Sequence, residues 1–313
     1  MDIHINNSFS IIENKKTKAI AEEIMKIIFL VCAFFAVLAV FSITIYMILN
    51  GTPAIFKIGL KEILFETQWA PTAADPKYGI LYVILTSIVG TTFAVLIGVP
   101  IGVLTAVFIA EVAPKQLAAI VKPAVELLAG IPSVIYGLLG IMILNPFMYK
   151  IEKIIFKGSS THQFTGGSNL ISAIIVLAIM ILPTVINISE SSIRAVPREM
   201  RSASLALGAS KIQTIFKVVL PVARSGIMSA IVLGVGRAIG EAMAITLVSG
   251  SSVSLPLPFN SVRFLTTAIV AEMGYAADEH RQVLFTIGLI LFFFIMVVNT
   301  VFAKLLSTNE KEK

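Results

Sequence analysis

The sequence predicts an all-α integral membrane protein, built as a bundle of six membrane-spanning helices. Of its 313 residues, 57% are hydrophobic and only 13% are charged, and the mean hydropathy is +0.94. A soluble domain carries roughly 25% charged residues, so about half of the usual polar surface is missing. Hydropathy therefore outweighs length, which alone would suggest one or two soluble domains.

Six segments are long and apolar enough to cross a bilayer. The hydrocarbon core takes about 20 residues of helix, because every backbone polar group must be bonded internally. The predicted spans are residues 25–49, 79–110, 117–147, 170–188, 226–248 and 283–302. The first apolar run is too long for the core of a signal peptide, and no small-residue cleavage site follows it. We therefore expect it to remain in the protein as the first span.

The distribution of basic residues predicts the orientation. Six spans place both termini on one side, and Lys and Arg are more numerous in the segments that share that side. This bias favours cytoplasmic termini, although Lys150, Lys153 and Lys157 cluster outside. The predicted organisation is a cytoplasmic segment at 1–24, a first transmembrane helix at 25–49, an extracytoplasmic loop at 50–77, a five-helix core at 78–304 and a cytoplasmic tail at 305–313.

Several chemistries are not expected. The net charge is +6, but the basic residues lie between apolar runs as topology signals, so no nucleic-acid partner is predicted. The single cysteine, Cys32, cannot form an internal disulfide. There is no phosphate-binding loop for ATP, and none of His4, His162 and His280 belongs to a His-Glu-x-x-His motif. We therefore predict a non-catalytic membrane protein with no metal site and no cofactor of its own.

Residues 194–224 form the longest segment on the predicted cytoplasmic side. Pro197 suits the start of a helix, and Gly208 can adopt a positive φ and close it. A second helical stretch, residues 211–219, is predicted to end before Pro221. The sequence thus predicts a helix, a glycine corner and a second helix on the cytoplasmic side.

Two opposite charges lie within the predicted fifth span. A charge at the bilayer centre costs roughly 2.5–3.5 kcal/mol on insertion scales. Arg237 and Glu241, at i and i+4 of a helix, share a face and can pair. The structural interpretation is that they only neutralise each other. The functional one is that Arg237 is a transient counter-ion for a passing anion while Glu241 holds the guanidinium. A carboxylate there would accept a hydrogen bond from hydrogen phosphate and repel sulfate.

Glu126 is a second acidic residue inside a predicted span, the third. Two interpretations of Glu126 stay open. It takes part in the substrate path or its gating, or it pairs with an unidentified partner for structural reasons. The polar residues Asn187, Ser189 and Glu190, at the end of the fourth span, are predicted simply to meet water.

The segment at 194–224 resembles the Glu-Ala-Ala loop of ABC importer permeases. Ser202-Ala203-Ser204, then Gly208 and then Leu220-Pro221 match its spacing, although Ser202 stands in the place of the glutamate. Glu199, about one helical turn earlier, is a partial substitute. In that family the loop docks on the ATPase subunit, so the resemblance implies coupling roles for Glu199, Ser202, Ala203, Ser204, Gly208, Leu220 and Pro221. The alternative, an amphipathic helix on the membrane surface, does not require this spacing.

A more specific resemblance is carried by four stretches of sequence. They are Trp69-Ala70-Pro71, the run ELLAGIPSV at 126–134 followed by Tyr136-Gly137, Leu182-Pro183-Thr184, and GRAIGE at 236–241. Together with the loop they resemble the phosphate-importer permeases of the PstC type. The resemblance implies the six-span, type I ABC importer permease (MetI-like) fold and a role for Arg237 and Glu241 in phosphate passage.

The resemblance also implies a set of partners in the bacterial inner membrane. They are a second, PstA-like permease, two ATPase subunits that bind ATP and Mg, and an extracytoplasmic phosphate-binding protein. Two alternatives stay open: a permease for sulfate or molybdate, and an ATP-independent secondary transporter that uses Arg237 and Glu241. The loop at 194–224 distinguishes the second alternative, since a secondary carrier needs no docking helix.

Overall fold

A computed structural model describes residues 3–311, with side chains described for residues 21–301 and 304. The helices are α1 Ile3–Ile58, α2 Leu60–Phe65, α3 Leu81–Val107, α4 Lys115–Gly130, α5 Ser133–Leu139, α6 Asn145–Ile155, α7 Leu170–Arg194, α8 Arg198–Ala206, α9 Lys211–Thr214, α10 Leu220–Gly240, α11 Met243–Val248, α12 Leu265–Glu272 and α13 Asp278–Lys311. Short π-helical turns at Phe108–Val112, Gly140–Leu144 and Ile215–Val219 follow α3, join α5 to α6 and join α9 to α10. Strands β1 Trp69–Ala70 and β2 Lys77–Tyr78 pair antiparallel.

The chain divides into two compact units, Met1–Asn50 and Gly51–Lys313. In the first unit, apolar side chains of α1 such as Phe29, Val37 and Leu49 are exposed around the whole helix. A helix that is apolar on all sides suits a lipid environment. His4 lies outside the residues whose side chains are described.

Six helical segments between residues 21 and 301 are long and apolar enough to cross a membrane. They are Ala21–Ile58, Leu81–Val112, Ser133–Ile155, Leu170–Arg194, Lys211–Gly240 and Asp278–Val301. The predicted all-α membrane fold with six spans is confirmed. The first of these segments extends past the predicted end at Leu49.

The third predicted span, residues 117–147, is wrong because it joins two separate helices. Helix α4 ends at Gly130 and α5 begins at Ser133. Between them Ile131 is extended, with φ −71° and ψ 126°. A proline disfavours helical backbone in the residue before it, so Pro132 ends α4. The spanning segment is Ser133–Ile155 instead.

The fifth predicted span, residues 226–248, is also displaced. The helix is continuous from Lys211 to Gly240, so the expectation that it ends before Pro221 is wrong. A helical proline ring would clash with the carbonyl four residues earlier. The π-helical turn at Ile215–Val219 opens the helix there, with the Leu220 amide donating to the Ile215 carbonyl, and Pro221 then fits the first turn of α10.

Helix α7 is the centre of the second unit, where it packs against α3 and α10. Two glycines of α3 allow the close approach. A Cβ added at Gly98 would lie 2.7 Å from Ile181 Cδ1, and one at Gly102 would lie 2.8 Å from Val185 Cγ1. Small residues four apart bring helix backbones together in membranes. The interrupted helices α10 and α11 both pack against α7, so this close packing of α3 and α7 supports their position.

Candidate transport path and coupling surface

The fifth spanning segment is interrupted beside its charged residues. Helix α10 ends at Gly240, Glu241 is extended with φ −72° and ψ 131°, and α11 begins at Met243. The Glu241 Oε1 atom accepts a hydrogen bond of 3.0 Å from the Ala244 amide. The Glu241 carbonyl accepts one of 2.7 Å from Thr266 Oγ1. The first amides of a helix lack intrahelical partners, so the carboxylate satisfies one of them at the start of α11.

The predicted pairing of Arg237 with Glu241 is wrong. It required a continuous helix, whereas α10 ends between the two residues and Glu241 turns to Ala244. Within the part of the chain that the structure describes, the exposed Arg237 side chain makes no hydrogen bond or ion pair. Among the residues with described side chains, the guanidinium therefore has no counter-ion.

Arg237 lies on an open face of α10. Leu233, Gly236, Arg237 and Gly240 follow the spacing of one helix face. A Cβ added at Gly236 or Gly240 would have no atom within 4 Å. Next to this open face, Gly234 packs on α7, where an added Cβ would lie 2.9 Å from a valine side chain. The open face thus presents a positive charge between two glycines.

The break between α4 and α5 lies against the same region. A Cβ added at Gly137 of α5 would lie 2.9 Å from Ala244 Cα of α11. The Tyr136 hydroxyl donates a hydrogen bond of 2.7 Å to the Leu128 carbonyl, across the break at Pro132. Two interrupted helices are therefore neighbours. In membranes, such breaks occur where the backbone lines a cavity or is buried in protein.

Glu126 lies elsewhere than predicted. It is exposed on α4, outside the six spanning segments, and makes no ion pair among the residues with described side chains. It lines a cavity of about 600 Å³ together with Lys115, Lys122 and Arg194. Among the residues with described side chains, no hydrogen bond joins Glu126 to Glu241, whose carboxylate instead accepts from the Ala244 amide.

The expectation that Ser189 and Glu190 meet water is wrong. Ser189 is fully buried and Glu190 is 2% exposed. The Glu190 carboxylate pairs with Arg194, one helical turn later, and its Oε2 atom lies 3.1 Å from Lys122 Nζ of α4. The i, i+4 spacing of Glu190 and Arg194 could have predicted their ion pair. The contact of Glu190 with Lys122 could not be predicted in this way, because the two residues are 68 positions apart.

The predicted glycine corner of the segment at 194–224 is confirmed. Helix α8 follows Pro197, Gly208 has φ +84°, and α9 begins at Lys211 with a capping box between Ser210 and Gln213. The Ser204 Oγ atom lies 3.0 Å from Thr214 Oγ1 and joins the two helices.

Apolar and small residues are exposed around this corner. Leu207 is 90% exposed and Ile212 is 69% exposed. A shallow groove beside them is lined in part by Ala203, Ser204 and Pro221. Glu199 and Ser202 are also exposed, and the Ser202 hydroxyl donates to the Arg198 carbonyl at 3.0 Å. An exposed apolar surface rimmed by polar groups is typical of a protein-binding site.

Sequence reasoning missed a buried arginine beneath this surface. The Arg201 Nη2 atom lies 2.8 Å from Glu111 Oε1 and also donates to the Ile193 carbonyl at 2.8 Å. Arg201 therefore links α8 to the π-helical turn after α3 and to the end of α7. Arg201 and Glu111 are 90 residues apart, with the four helices α4 to α7 between them, so their contact could not be read from the sequence.

A second missed cluster surrounds Glu272 at the end of α12. The Trp69 indole donates hydrogen bonds of 3.1 and 3.2 Å to its two carboxylate oxygens. His280 Nε2 lies 2.7 Å from Glu272 Oε2, and Arg263 pairs with Oε1. These contacts fix the Trp69-Ala70 strand to the segments before and after α12. Trp69 thus has a structural role, since its indole holds Glu272. The Trp69-Ala70-Pro71 stretch of the sequence did not reveal this role.

The fold and the interrupted helices define the class of the protein, a polytopic membrane permease. A family model for the inner membrane component of binding-protein-dependent transport systems matches residues 98–309. A probable ABC transporter permease, YqgH of Bacillus subtilis, is 37% identical over 92% of this chain and 93% of its own. The phosphate transport system permease PstC of Xylella fastidiosa is 33% identical over 93% of both chains.

Solved structures share the fold at low sequence identity. An inward-facing methionine importer, MetNI, matches 74% of this chain and 94% of its own, with a TM-score of 0.53 and 21% identity. A bacterial alginate ABC transporter matches 86% of this chain and 92% of its own, with a TM-score of 0.56 and 15% identity. The type I, MetI-like permease fold is confirmed.

The chain belongs to the family of binding-protein-dependent transport system inner membrane components. It is a non-catalytic, multi-pass permease subunit of an ABC importer in the inner membrane. Permeases of this family work with ATPase subunits, which hydrolyse ATP, and with a substrate-binding protein.

Proposed function

We propose that this permease forms, with a second PstA-like permease, a path for inorganic phosphate. A phosphate-binding protein delivers the anion, and two ATPase subunits that bind ATP and Mg supply the energy. The observation that carries the proposal is the unpaired, exposed Arg237 within an apolar spanning helix. An intramembrane charge is costly, and a passing anion gives this one a partner. The PstC relatives, whose names specify phosphate transport, support the choice of anion.

The geometry around Arg237 suits brief contact with an oxyanion. The guanidinium is a planar fork of donors that matches phosphate oxygens. Gly236 and Gly240 leave open space on both sides of it along the helix. Because the charge is not already engaged by Glu241, the anion need not displace an internal ion pair.

Glu241 has two roles in this proposal. Its Oε1 atom holds the start of α11 through Ala244, and a carboxylate keeps further acceptor capacity on its second oxygen. That capacity accepts a hydrogen bond from the hydroxyl of hydrogen phosphate. Sulfate has no such proton at neutral pH and is repelled.

The corner around Gly208 is proposed as the docking surface for an ATPase subunit. Its exposed apolar residues Leu207 and Ile212 contribute the contact area. The residues assigned to coupling are Glu199, Ser202, Ala203, Ser204, Gly208, Leu220 and Pro221. This role requires that the corner and both termini face the cytoplasm, and that the 50–77 segment lies outside.

Labelled phosphate uptake, in cells that lack other phosphate transporters and express the complete importer, tests the choice of substrate. Unlabelled phosphate should suppress uptake, whereas sulfate and molybdate in excess should not. Absence of phosphate uptake, with uptake of labelled sulfate or molybdate in its place, would identify another oxyanion importer. Phosphate uptake that persists when the ATPase is inactivated would instead support the secondary transporter.

A further inference from the structure

The cavity between α4 and α7 carries three cations. Lys115 and Lys122 of α4, Arg194 at the end of α7, and Glu126 line about 600 Å³ of open space. Small side chains, Ala118 and Ala119, form its floor. The cavity lies where α7 passes into the coupling segment, at the opposite end of α7 from Asn169.

Two of the cations are held in place by one buried carboxylate. Glu190, with a side chain only 3% exposed, pairs with both Lys122 and Arg194, whose side chains remain 42% and 49% exposed. One buried negative charge thus fixes two positive charges that reach solvent. Lys115 makes no ion pair or hydrogen bond within the described part of the chain, and adds a third.

From this arrangement we infer that the cavity binds a phosphate oxyanion. Three cationic side chains line the same cavity. The Glu190 carboxylate, which pairs with two of them, is buried and is not part of the lining. Charge-assisted hydrogen bonds from Lys and Arg are the usual means of holding phosphate. The site is separate from Arg237, and the inference deepens the proposed function by adding a second phosphate site at the end of the molecule that carries the coupling segment.

The phosphate has two possible sources with the same chemistry. One is the transported anion, and the other is the headgroup of an anionic lipid, since basic pockets between membrane helices also bind headgroups. Glu126 separates them. Hydrogen phosphate has a hydroxyl that donates to this carboxylate, whereas the phosphodiester of a lipid headgroup has no such proton.

A cysteine introduced in place of Ala119 gives a local readout in the intact importer. The complete complex, with Cys32→Ala and Ala119→Cys, is reconstituted in phosphatidylcholine vesicles without ATP or binding protein. The rate of modification by a thiol reagent is measured with and without inorganic phosphate. Parallel vesicles contain phosphatidylmethanol, an anionic lipid whose headgroup has no hydroxyl, and no phosphate. Ala118→Cys serves as the second reporter if Ala119→Cys does not assemble.

We expect one of the two conditions to slow modification of the Ala119→Cys reporter. Lys122→Gln or Lys115→Gln should weaken that protection about tenfold in ligand concentration, as expected for the loss of a charge-assisted hydrogen bond. Lys157→Gln, which removes an exposed lysine outside the cavity, should have no effect. Glu126→Gln should weaken protection by phosphate but leave protection by phosphatidylmethanol, whose headgroup has no hydroxyl, intact or stronger.

Equal modification rates in all vesicles, for both reporters, would overturn the inference. Protection that survives the combined Lys115→Gln and Lys122→Gln substitution would also overturn it. Protection by phosphate in an importer that fails to take up phosphate in cells would contradict the proposed function alone, because protection is measured without transport.

Discussion

The Arg201 guanidinium lies 2.8 Å from the Glu111 carboxylate and ties α8 to the π-helical turn that follows α3. Both side chains are largely buried, with 20% and 13% of their surface exposed. Through the Ile193 carbonyl the same guanidinium also contacts the end of α7. A displacement of α8 by a docked ATPase subunit would therefore be carried directly to two spanning helices.

Removal of one member of this pair should impair coupling. Arg201→Met leaves the Glu111 carboxylate without its cation, at a cost of roughly 1–3 kcal/mol. We expect lower thermal stability of the complex and less uptake per ATP hydrolysed. Both are measured on the reconstituted importer. Asp75→Asn, which breaks the exposed Lys77–Asp75 pair, is the matched control and should change neither. Unchanged stability and coupling in Arg201→Met would show that the pair is dispensable.

The effect of a substitution at Gly208 should depend on how readily the new residue adopts a positive φ, and not on steric contacts. Its φ is +84°, and no atom lies within 4 Å of an added Cβ. Gly208→Val should lower uptake and substrate-stimulated ATP hydrolysis, because a β-branched residue is strained at positive φ. Gly208→Asn, which enters this region more readily, should retain more of both activities. Full stimulation of ATP hydrolysis in Gly208→Val would contradict the assigned docking role.

Gly102 and Gly236 should respond differently to a methyl group. Gly102→Ala places a Cβ 2.8 Å from Val185, so we expect a loss of about 1–3 kcal/mol in stability from overpacking. Gly236→Ala meets open space within this chain and should leave the stability of the isolated subunit near wild type. Thermal unfolding of the purified permease compares the two. An equal loss in both variants would contradict the packing of α3 on α7.

The proposed orientation places Ser210 in the cytoplasm. A Ser210→Cys substitution in a Cys32→Ala background should react with a membrane-impermeant thiol reagent only after cells are opened. Ser210 starts α9 at the exposed corner, so its accessibility reports directly on the coupling segment. Ready labelling in intact cells would reverse the proposed topology.

Local sequence rules predicted what depends on neighbouring residues. Hydropathy located six spans, and the freedom of Gly208 located the corner. The rules failed where a helix is interrupted inside an apolar stretch: Pro132 separates α4 from α5, and α10 ends at Gly240 with no proline to mark the break. The pairing of Arg237 with Glu241 failed with that helix.

Buried charges were the other limit of prediction. Glu190 looked like a residue at the water boundary, and only the packing of α4 on α7 brings Lys122 to it. Likewise, Arg201 and Glu111 meet only because α8 packs near the π-helical turn that follows α3. Long-range packing sets the environment of each of these side chains, and no pattern in the intervening sequence encodes it.

The most direct test of the central claim is phosphate uptake by Arg237 variants, alongside the amount of assembled complex in the membrane. Arg237→Leu should nearly abolish labelled phosphate uptake with normal assembly. Arg237→Lys should reduce uptake, since lysine keeps the charge but lacks the planar fork. Lys157→Leu, at an exposed lysine on a loop, is the control and should transport normally. Wild-type uptake by Arg237→Leu would show that the unpaired arginine does not contact the passing anion.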